Sequence, residues 1–324
     1  MRQSHIRALV VFVASFVTLI PVGVVSAQQR RANNDKSKQA IENLSFEGAR
    51  SEVYKEIDDA RLKAHVFYPA SYEDGQKLPA IVFFFGGGWR SGTPAQFEHH
   101  CRFLAARGII AITADYRVAS RHGVKANACV ADAKSAVRWM RQNAERLGID
   151  ADRIVAGGGS AGGHLAACTG VVDGLEPEGE DMKISSRPNA MALFNPALVL
   201  APIGDRSVDE KKLASIKERA GVEPKEISPY HRLASGAPPA IIFHGEADTT
   251  VPFETAKVFA DKMKENGDRC ELKAYPEQGH GFFNYRSSKS KENFRKTVQA
   301  LDEFLVSLGY LNSDPSDAAK KILR

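Results

Sequence analysis

The sequence predicts an α/β fold in which helices cover both faces of a mainly parallel central sheet. From residue 80 onward, short apolar runs typical of buried strands alternate with helix-like segments. A serine bracketed by glycines, Ser160, follows one of these apolar runs and opens a small-residue segment that can be a helix. The 324 residues are enough for one such domain of usual size.

The elements follow from local patterns along the chain. Residues 51–67 are expected to form an antiparallel opening hairpin. Further strands are predicted at 78–85, 108–114, 153–156, 189–194, 239–245 and 270–275. Helices are predicted at 96–107, 130–147, 165–168, 253–266 and 294–308. In the helices predicted at 130–147 and 294–308, apolar residues recur at three- and four-residue spacing and form one apolar face. A glycine ends each of these two helices.

Ser160 lies in the pattern Gly158-x-Ser160-x-Gly162, which is typical of a nucleophile on a tight strand-to-helix turn. Such a turn strains the backbone at the serine. A neighbouring Cβ would clash, so the positions two before and two after must be glycine. The pattern therefore predicts that Ser160 is a catalytic nucleophile.

A serine hydroxyl needs a base to take its proton and an acid to orient that base. Asp248 follows a strand-like run, and His280 lies between glycines after the next predicted strand. The order Ser160, Asp248, His280, with each residue on a turn after a strand, predicts a catalytic triad. Glu246 is a competing acid two residues before Asp248 and ranks below it.

The acyl-transfer intermediate carries an oxyanion that needs preorganised hydrogen-bond donors. The predicted strand 78–85 ends in three glycines, 86–88, whose backbone N–H groups can approach a substrate oxygen closely. Ala161, the residue after the nucleophile, supplies a further N–H. The glycine-rich loop is therefore predicted to form the oxyanion hole with Ala161.

With these motifs the chain resembles α/β-hydrolases of the group that contains bacterial acetyl esterases, hormone-sensitive-lipase-like carboxylesterases and acetylxylan/feruloyl esterases. The matching motifs are Gly86-Gly87-Gly88-Trp89, Asp115-Tyr116-Arg117, Gly158-Gly159-Ser160-Ala161-Gly162-Gly163-His164, His244-Gly245-x-x-Asp248 and Gly279-His280-Gly281-Phe282. The resemblance implies the α/β-hydrolase fold and covers roughly 50–308. The motif around Ser160 is closest to the acetyl/feruloyl esterase branch.

The resemblance also implies that Gly87, Gly88 and Ala161 donate into the oxyanion hole, and that 115–117 brace the loop after their strand. Two positions depart from the family. Phe85 stands where the family usually has a histidine that helps to hold the loop, so Phe85 must hold it by packing, or the loop is held differently. Gly159 stands before the serine, where many hormone-sensitive-lipase-like members carry an acid.

The first 27 residues are predicted to be a secretory signal peptide. Two arginines accompany an apolar stretch at 8–25, and Val25-Ser26-Ala27 is a small-residue cleavage site. An uncleaved membrane anchor is the alternative, because the apolar stretch is 18 residues long. The predicted divisions are a signal peptide at 1–27, a polar linker at 28–47, an α/β-hydrolase catalytic domain at 48–310 and a C-terminal tail at 311–324.

The charge and the cysteine spacing give no sign of a nucleic-acid-binding, membrane-surface or metal-binding protein. The formal net charge is +5 and becomes +3 without the two arginines of the signal peptide, a small surplus that carries no nucleic-acid or membrane-surface signature. The four cysteines fit no metal motif. Cys168 is expected to be buried and free, while Cys101, Cys129 and Cys270 are candidates for one disulfide whose pairing stays open.

These observations predict an exported serine esterase that acts on short, acetyl-type esters, including those of acetylated carbohydrates, and that needs no cofactor or metal. The charged insertion 204–236 is the best candidate for a cap that shapes the substrate site. No stable membrane insertion is expected after cleavage, and the oligomeric state stays open. A prolyl-peptidase-like enzyme and a non-catalytic binding module on a hydrolase fold remain alternatives.

Overall fold

A computed structural model describes residues 38–204, 210–285 and 288–322. In this part of the chain, eight strands form one sheet in the order β1-β2-β4-β3-β5-β6-β7-β8. The strands are β1 (Ala49–Ile57), β2 (Ala60–Phe67), β3 (Leu78–Phe84), β4 (Ile110–Ala114), β5 (Ile149–Gly159), β6 (Ala190–Phe194), β7 (Ala240–Gly245) and β8 (Cys270–Tyr275).

The pairing of the strands confirms the predicted fold class. β1 and β2 form the antiparallel opening hairpin, and β2 also runs antiparallel to β4. From β4 across to β8 every neighbouring pair is parallel. The carboxyl ends of β3, β5, β7 and β8 therefore meet at one edge of the sheet, which is where loops of α/β folds place functional groups.

Helices connect the strands and cover the sheet. They are α1 (Glu98–Ala106), which a 3₁₀ turn at Pro94–Phe97 precedes, α2 (Ala119–His122), α3 (Ala126–Gln142), α4 (Ala144–Leu147), α5 (Ala161–Val171), α6 (Glu210–Ala220), α7 (Pro229–Arg232), α8 (Phe253–Glu265), α9 (Ser288–Ser307) and α10 (Asp317–Ile322). The single helix predicted at 130–147 is two helices. Asn143 leaves the helical conformation, and its side-chain Nδ2 donates to the Trp139 carbonyl at 2.9 Å.

The core lies on both faces of the sheet. Along β3, Ala80, Val82 and Phe84 belong to one cluster of buried side chains, and Ile81 and Phe83 belong to the other. This alternation follows from the period of two in a β-strand. A strand covered on both faces reads as a continuous apolar run, and this explains why 78–85 is apolar throughout.

The described ends of the chain pack against this domain. Of the predicted linker, 38–47 lie within the described residues, and Phe46 is buried with its ring 4.9 Å from that of His65. In the predicted tail, the carbonyl oxygens of Asn312 and Asp314 accept hydrogen bonds from Arg107 at 2.6 and 3.1 Å. The predicted signal peptide lies outside the described residues. Among the helices of 38–204, 210–285 and 288–322, none has the length and apolar character to span a membrane.

No disulfide joins the three candidate cysteines, since all four cysteines are buried and free. Cys101 on α1 belongs to the core cluster on one face of the sheet, whereas Cys129 on α3 and Cys270 on β8 belong to the cluster on the other face. The three thiols are thus core side chains on different elements. Burial raises the pKa of the Cys270 thiol to about 12, which keeps it protonated at neutral pH.

Candidate active site

Ser160 is the single residue between β5 and α5, and its backbone is strained. Its φ of 54° and ψ of −116° lie in a region that side-chain-bearing residues rarely occupy. A Cβ at Gly158 would lie 2.4 Å from the Gly162 carbonyl oxygen, and one at Gly162 would lie 2.0 Å from that of Phe84. Both glycines are thus required by close backbone approach, as the pattern predicts.

The structure brings Ser160, His280 and Asp248 together in one hydrogen-bonded chain. His280 Nε2 lies 2.9 Å from Ser160 Oγ, and His280 Nδ1 lies 2.7 Å from Asp248 Oδ2. His280 lies on the loop after β8 and Asp248 on the loop after β7, so the sheet sets their spacing. Glu246, the competing acid, is exposed.

Asp248 is buried and is held by several donors. Its Oδ1 accepts from the backbone N–H groups of Thr250 and Val251, each at 2.9 Å, and its Oδ2 accepts from Asn195 Nδ2. His244 Nε2 lies 3.5 Å from Oδ2. Burial alone would raise the pKa of the carboxyl, but these donors and His280 hold that pKa well below its usual range. Asp248 is therefore an anion that can orient an imidazole and stabilise its cationic form.

The glycine-rich loop lies beside Ser160. The Gly86 N–H donates to Gln96 Oε1 at 2.6 Å, so it is already satisfied. Gly87 and Gly88 have φ values of 128° and 63° and line the same cavity as Ser160 and Ala161. Ala161 begins α5, and the first N–H groups of a helix have no acceptor within it. Gly87, Gly88 and Ala161 therefore line the cavity together with Ser160, and their role as oxyanion donors stays a prediction.

Phe85 holds the base of this loop both by packing and through its backbone. Its ring stacks on that of Tyr116 at 4.1 Å, and the Tyr116 hydroxyl donates to the Phe85 carbonyl at 2.7 Å. Two ion pairs fix the neighbouring residues: Asp115 with Arg121 at 2.6 Å, and Arg117 with Asp132 at 2.9 Å. The segment 115–117 therefore braces the loop, and a histidine at position 85 is not needed for that contact.

Sequence reasoning missed a pair of amides that joins the glycine-rich loop to the loop of His280. Besides accepting from Gly86, Gln96 donates through Nε2 to Asn284 Oδ1 at 2.8 Å. Asn284 Nδ2 in turn donates to the Gly281 carbonyl at 2.8 Å. No sequence signal predicts this contact, because the two amides are 188 residues apart and neither belongs to a motif.

A second connection runs from Trp89, at the end of the loop, into the cap insertion. Trp89 Nε1 donates to His164 Nδ1 at 3.1 Å, and His164 Nε2 lies 2.6 Å from the Ile227 carbonyl oxygen. Burial lowers the pKa of His164 to about 4, so its ring is neutral and has the one donor and one acceptor that these contacts use. The histidine after the Ser160 motif is thus a structural link.

These groups open into a cavity of about 1230 Å³. Trp89, Phe283 and Tyr285 contribute aromatic lining, whereas the neighbouring Phe282 is buried in the core. Ile216 and Arg219 of α6 line the cavity from the cap insertion, which agrees with the prediction that this insertion shapes the site. Across the described ranges, no group of three or more His, Cys, Asp or Glu side chains is arranged to hold a metal ion.

Known proteins are similar to this chain in sequence. The BD-FAE family model matches residues 65–263. Esterase LipC of Mycobacterium tuberculosis (strain ATCC 25618 / H37Rv) is 29% identical over 215 residues, which are 63% of this chain and 53% of LipC. Carboxylesterase NlhH of the same strain is 28% identical over 275 residues, which are 81% of this chain and 83% of NlhH.

A solved structure is more similar still. Esterase 2 of the Planctomycetes species Thermogutta terrifontis, in its propionate-bound form, is 52% identical, with a TM-score of 0.78 over 83% of this chain and 97% of that one. The same esterase has also been solved with butyrate bound. The chain therefore belongs to the BD-FAE family, among the α/β-hydrolase carboxylesterases of the hormone-sensitive-lipase-like group.

Proposed function

We propose that this protein is an exported serine carboxylesterase that hydrolyses esters of short acyl groups, acetyl first, including acetyl groups on carbohydrates. The observation that carries the proposal is the hydrogen-bonded chain Ser160–His280–Asp248 at the wall of an accessible cavity. A serine, a histidine and a buried carboxylate at these distances are suited to acyl transfer.

In the proposed mechanism, Ser160 Oγ attacks the ester carbonyl while His280 Nε2 takes its proton. Asp248 keeps the Nδ1 proton of His280 in place and stabilises the imidazolium. The backbone N–H groups of Gly87, Gly88 and Ala161 bind the oxyanion. His280 then protonates the leaving alcohol. Water, deprotonated by His280, attacks the acyl-enzyme and releases the carboxylic acid and free Ser160.

Two observations support short acyl groups. The related esterase 2 has been solved with propionate and with butyrate, the acids that hydrolysis of short-chain esters releases. The cavity is lined partly by small side chains, since Gly86–Gly88, Gly92 and Ala95 all reach it. The preference for acetyl, and the carbohydrate as the alcohol half, rest on the motif around Ser160 and on the predicted export.

Active-site labelling and a substrate series test this function. A fluorophosphonate probe is expected to label the wild-type protein and not Ser160→Ala, and the variant should lose activity by a factor on the order of 10⁶ while keeping its melting temperature. Among p-nitrophenyl acetate, butyrate and decanoate, the acetate and butyrate should be hydrolysed fastest, with acetate released from acetylated xylan. If Ser160→Ala kept a tenth of the activity, or if a prolyl amide were the better substrate, the proposal would be wrong.

Export has its own test. The N-terminal sequence of the protein recovered from outside the cytoplasm is expected to begin at Gln28, after the Val25-Ser26-Ala27 site. A protein that retained Met1 in the membrane fraction would instead support the uncleaved anchor.

A further inference from the structure

We propose that the cavity binds a carboxylate carried by the ester substrate, and that Arg219 on the cap insertion is the residue that holds it. The inference rests on the proposed esterase function and adds to it the chemical class of the substrate: an ester that bears an anionic group within reach of the glycine-rich loop.

The Arg219 head is held in place at the wall of the cavity. Its Nε donates to the Ser215 carbonyl one turn earlier in α6, at 2.9 Å. The guanidinium carbon lies 5.5 Å from the centre of the Trp89 ring, which faces the cavity as well. Its Nη1 lies so near the glycine-rich loop that a Cβ on Gly88 would be 3.2 Å away. The charged head is therefore fixed beside the loop that flanks Ser160.

No carboxylate forms an ion pair with this cation within the described residues, although the charge of the neighbouring Glu218 acts to raise the pKa of Arg219. Ser215 is the one hydrogen-bond acceptor that Arg219 has there, and its two Nη groups form no ion pair. The buried arginines of this protein are different: Arg107 pairs with Asp302, Arg117 with Asp132, and Arg138 with Glu176 and Glu180. Arg219 is half-buried, and it differs from the equally half-buried Arg141, whose two Nη groups donate to the Ser185 carbonyl and to Asn189 Oδ1. The two Nη groups of Arg219 have no such acceptor among the described residues.

The described residues of the cavity wall offer no carboxylate that would compete with a substrate carboxylate for Arg219. Among the described residues that line the cavity, the titratable side chains are those of Arg219, His280 and Tyr285. None of these lining residues is an Asp or a Glu. Burial lowers the pKa of Arg219, and the nearby Arg90 adds to this effect. The cavity is therefore a positive site in a largely apolar wall, where field lines concentrate and a negative group is favoured.

A guanidinium with two free Nη groups matches a carboxylate better than a neutral hydroxyl or amide. Its planar fork donates two parallel hydrogen bonds to the two carboxylate oxygens, and stacking on an aromatic ring limits its rotation. In this proposal, a remote carboxylate bound there holds an ester in the cavity that Ser160 also lines. The structure leaves two sources for this carboxylate, the acyl half and the alcohol half of the ester, and matched substrates distinguish them.

Two pairs of esters, each differing by one carboxylate, test the proposal. For the acyl half, the 4-nitrophenyl monoester of adipic acid is compared with 4-nitrophenyl hexanoate. For the alcohol half, 4-acetoxybenzoate is compared with its methyl ester. The quantity measured is the ratio of kcat/KM for the anionic ester to that for its neutral partner, in the wild type and in each variant, so that intrinsic differences in ester reactivity cancel.

In at least one pair, Arg219→Gln is expected to lower this ratio about tenfold or more, because a charge-assisted hydrogen bond is lost. Arg219→Lys should keep part of the ratio. Lys217→Gln is the matched control, since Lys217 lies on the same helix, pairs with the exposed Glu223 and carries the same charge. That control should leave the ratio unchanged. Added salt should lower the ratio in the wild type and much less in Arg219→Gln.

An unchanged ratio in both pairs would overturn the proposal. If that unchanged ratio came with an equal loss on the neutral and the anionic esters, Arg219 would act on the oxyanion or the loop instead of on a substrate carboxylate. The proposed esterase function is judged separately, by wild-type activity on the two neutral esters: it fails if they are not hydrolysed, whatever the effect of Arg219.

Discussion

The two walls of the cavity are built in different ways. The sheet wall consists of the loop 86–88, Ser160 and His280, and the cap wall consists of Ile216 and Arg219 on α6. In the sheet wall, backbone atoms meet at distances that leave no room for a Cβ at Gly87, Gly158 or Gly162. The cap wall is formed by side chains of a helix on which most residues with described side chains are exposed.

This difference separates chemistry from selection of the substrate. Groups that must meet to within a few tenths of an ångström lie on loops whose ends are fixed by β3, β5, β7 and β8. A helix side chain in the cap can be exchanged without moving those loops. We therefore expect substitutions in the sheet wall to lower kcat by orders of magnitude, and substitutions in the cap wall to change KM and the preference among esters.

After the loss expected for Ser160→Ala, the largest effect that sharpens this comparison is expected at Asp248. Asp248→Asn should lower kcat by roughly 10⁴, because the amide would favour the wrong tautomer of His280. Glu246→Gln, the matched control two residues earlier, should leave kcat nearly unchanged since Glu246 is exposed. Steady-state kinetics on p-nitrophenyl acetate measure both variants. Equal losses, or a larger loss at Glu246, would move the orienting acid to Glu246.

The glycine-rich loop should give the next largest effect. Gly87→Ala places a Cβ 2.0 Å from the Ser91 carbonyl oxygen, at a φ of 128°, so the loop must shift and a donor to the oxyanion moves away. Loss of one such donor costs roughly 10²–10³ in kcat. Gly174→Ala is the control, because it also has a positive φ but open space around its Cβ position. A normal kcat for Gly87→Ala would place the oxyanion donors elsewhere.

A smaller loss is expected where the sheet wall is tied together. Gln96→Leu removes both the acceptor for the Gly86 N–H and the donor to Asn284, so the glycine-rich loop and the His280 loop lose their connection. Gln96 is a positioning residue, and we expect kcat to fall roughly tenfold while KM changes little, as for the loss of one or two hydrogen bonds. If KM rose and kcat were kept, Gln96 would contact the substrate instead of positioning the loops.

The sheet wall could be predicted from sequence because its parts are local. Each motif combines a strand with the turn that follows it, and a tight turn demands glycine at positions that can be read directly, as at Gly158 and Gly162. One break in the prediction is local, and the other depends on tertiary packing. Asn143, whose side chain donates to the Trp139 carbonyl four residues earlier, ends a helix that the apolar pattern leaves continuous. The three cysteines that are candidates for a disulfide are core residues on separate elements.

The sequence predicts the cap wall only as a charged insertion, because its composition does not indicate which side chains face the cavity. Arg219 and Ile216 are separated by three positions and share one face of α6, but the face that meets the cavity depends on how the insertion is attached. That attachment includes the contact of His164 with the Ile227 carbonyl and the donation of Ser228 Oγ to the Leu198 carbonyl at 3.4 Å.

The smallest expected effect tests the cap wall directly. Ile216 lines the cavity, whereas Leu213, one turn earlier on α6, does not. Ile216→Ala should raise KM for p-nitrophenyl butyrate about fourfold, the equivalent of one buried CH₂ at ~0.8 kcal/mol, and should leave kcat close to that of the wild type. Leu213→Ala, which removes a side chain of the same size from the same helix, should change neither constant. A large fall in kcat for Ile216→Ala, with KM unchanged, would contradict the proposal that the sheet wall carries the chemistry and the cap wall selects the substrate. The cap would then also hold the reacting groups in place.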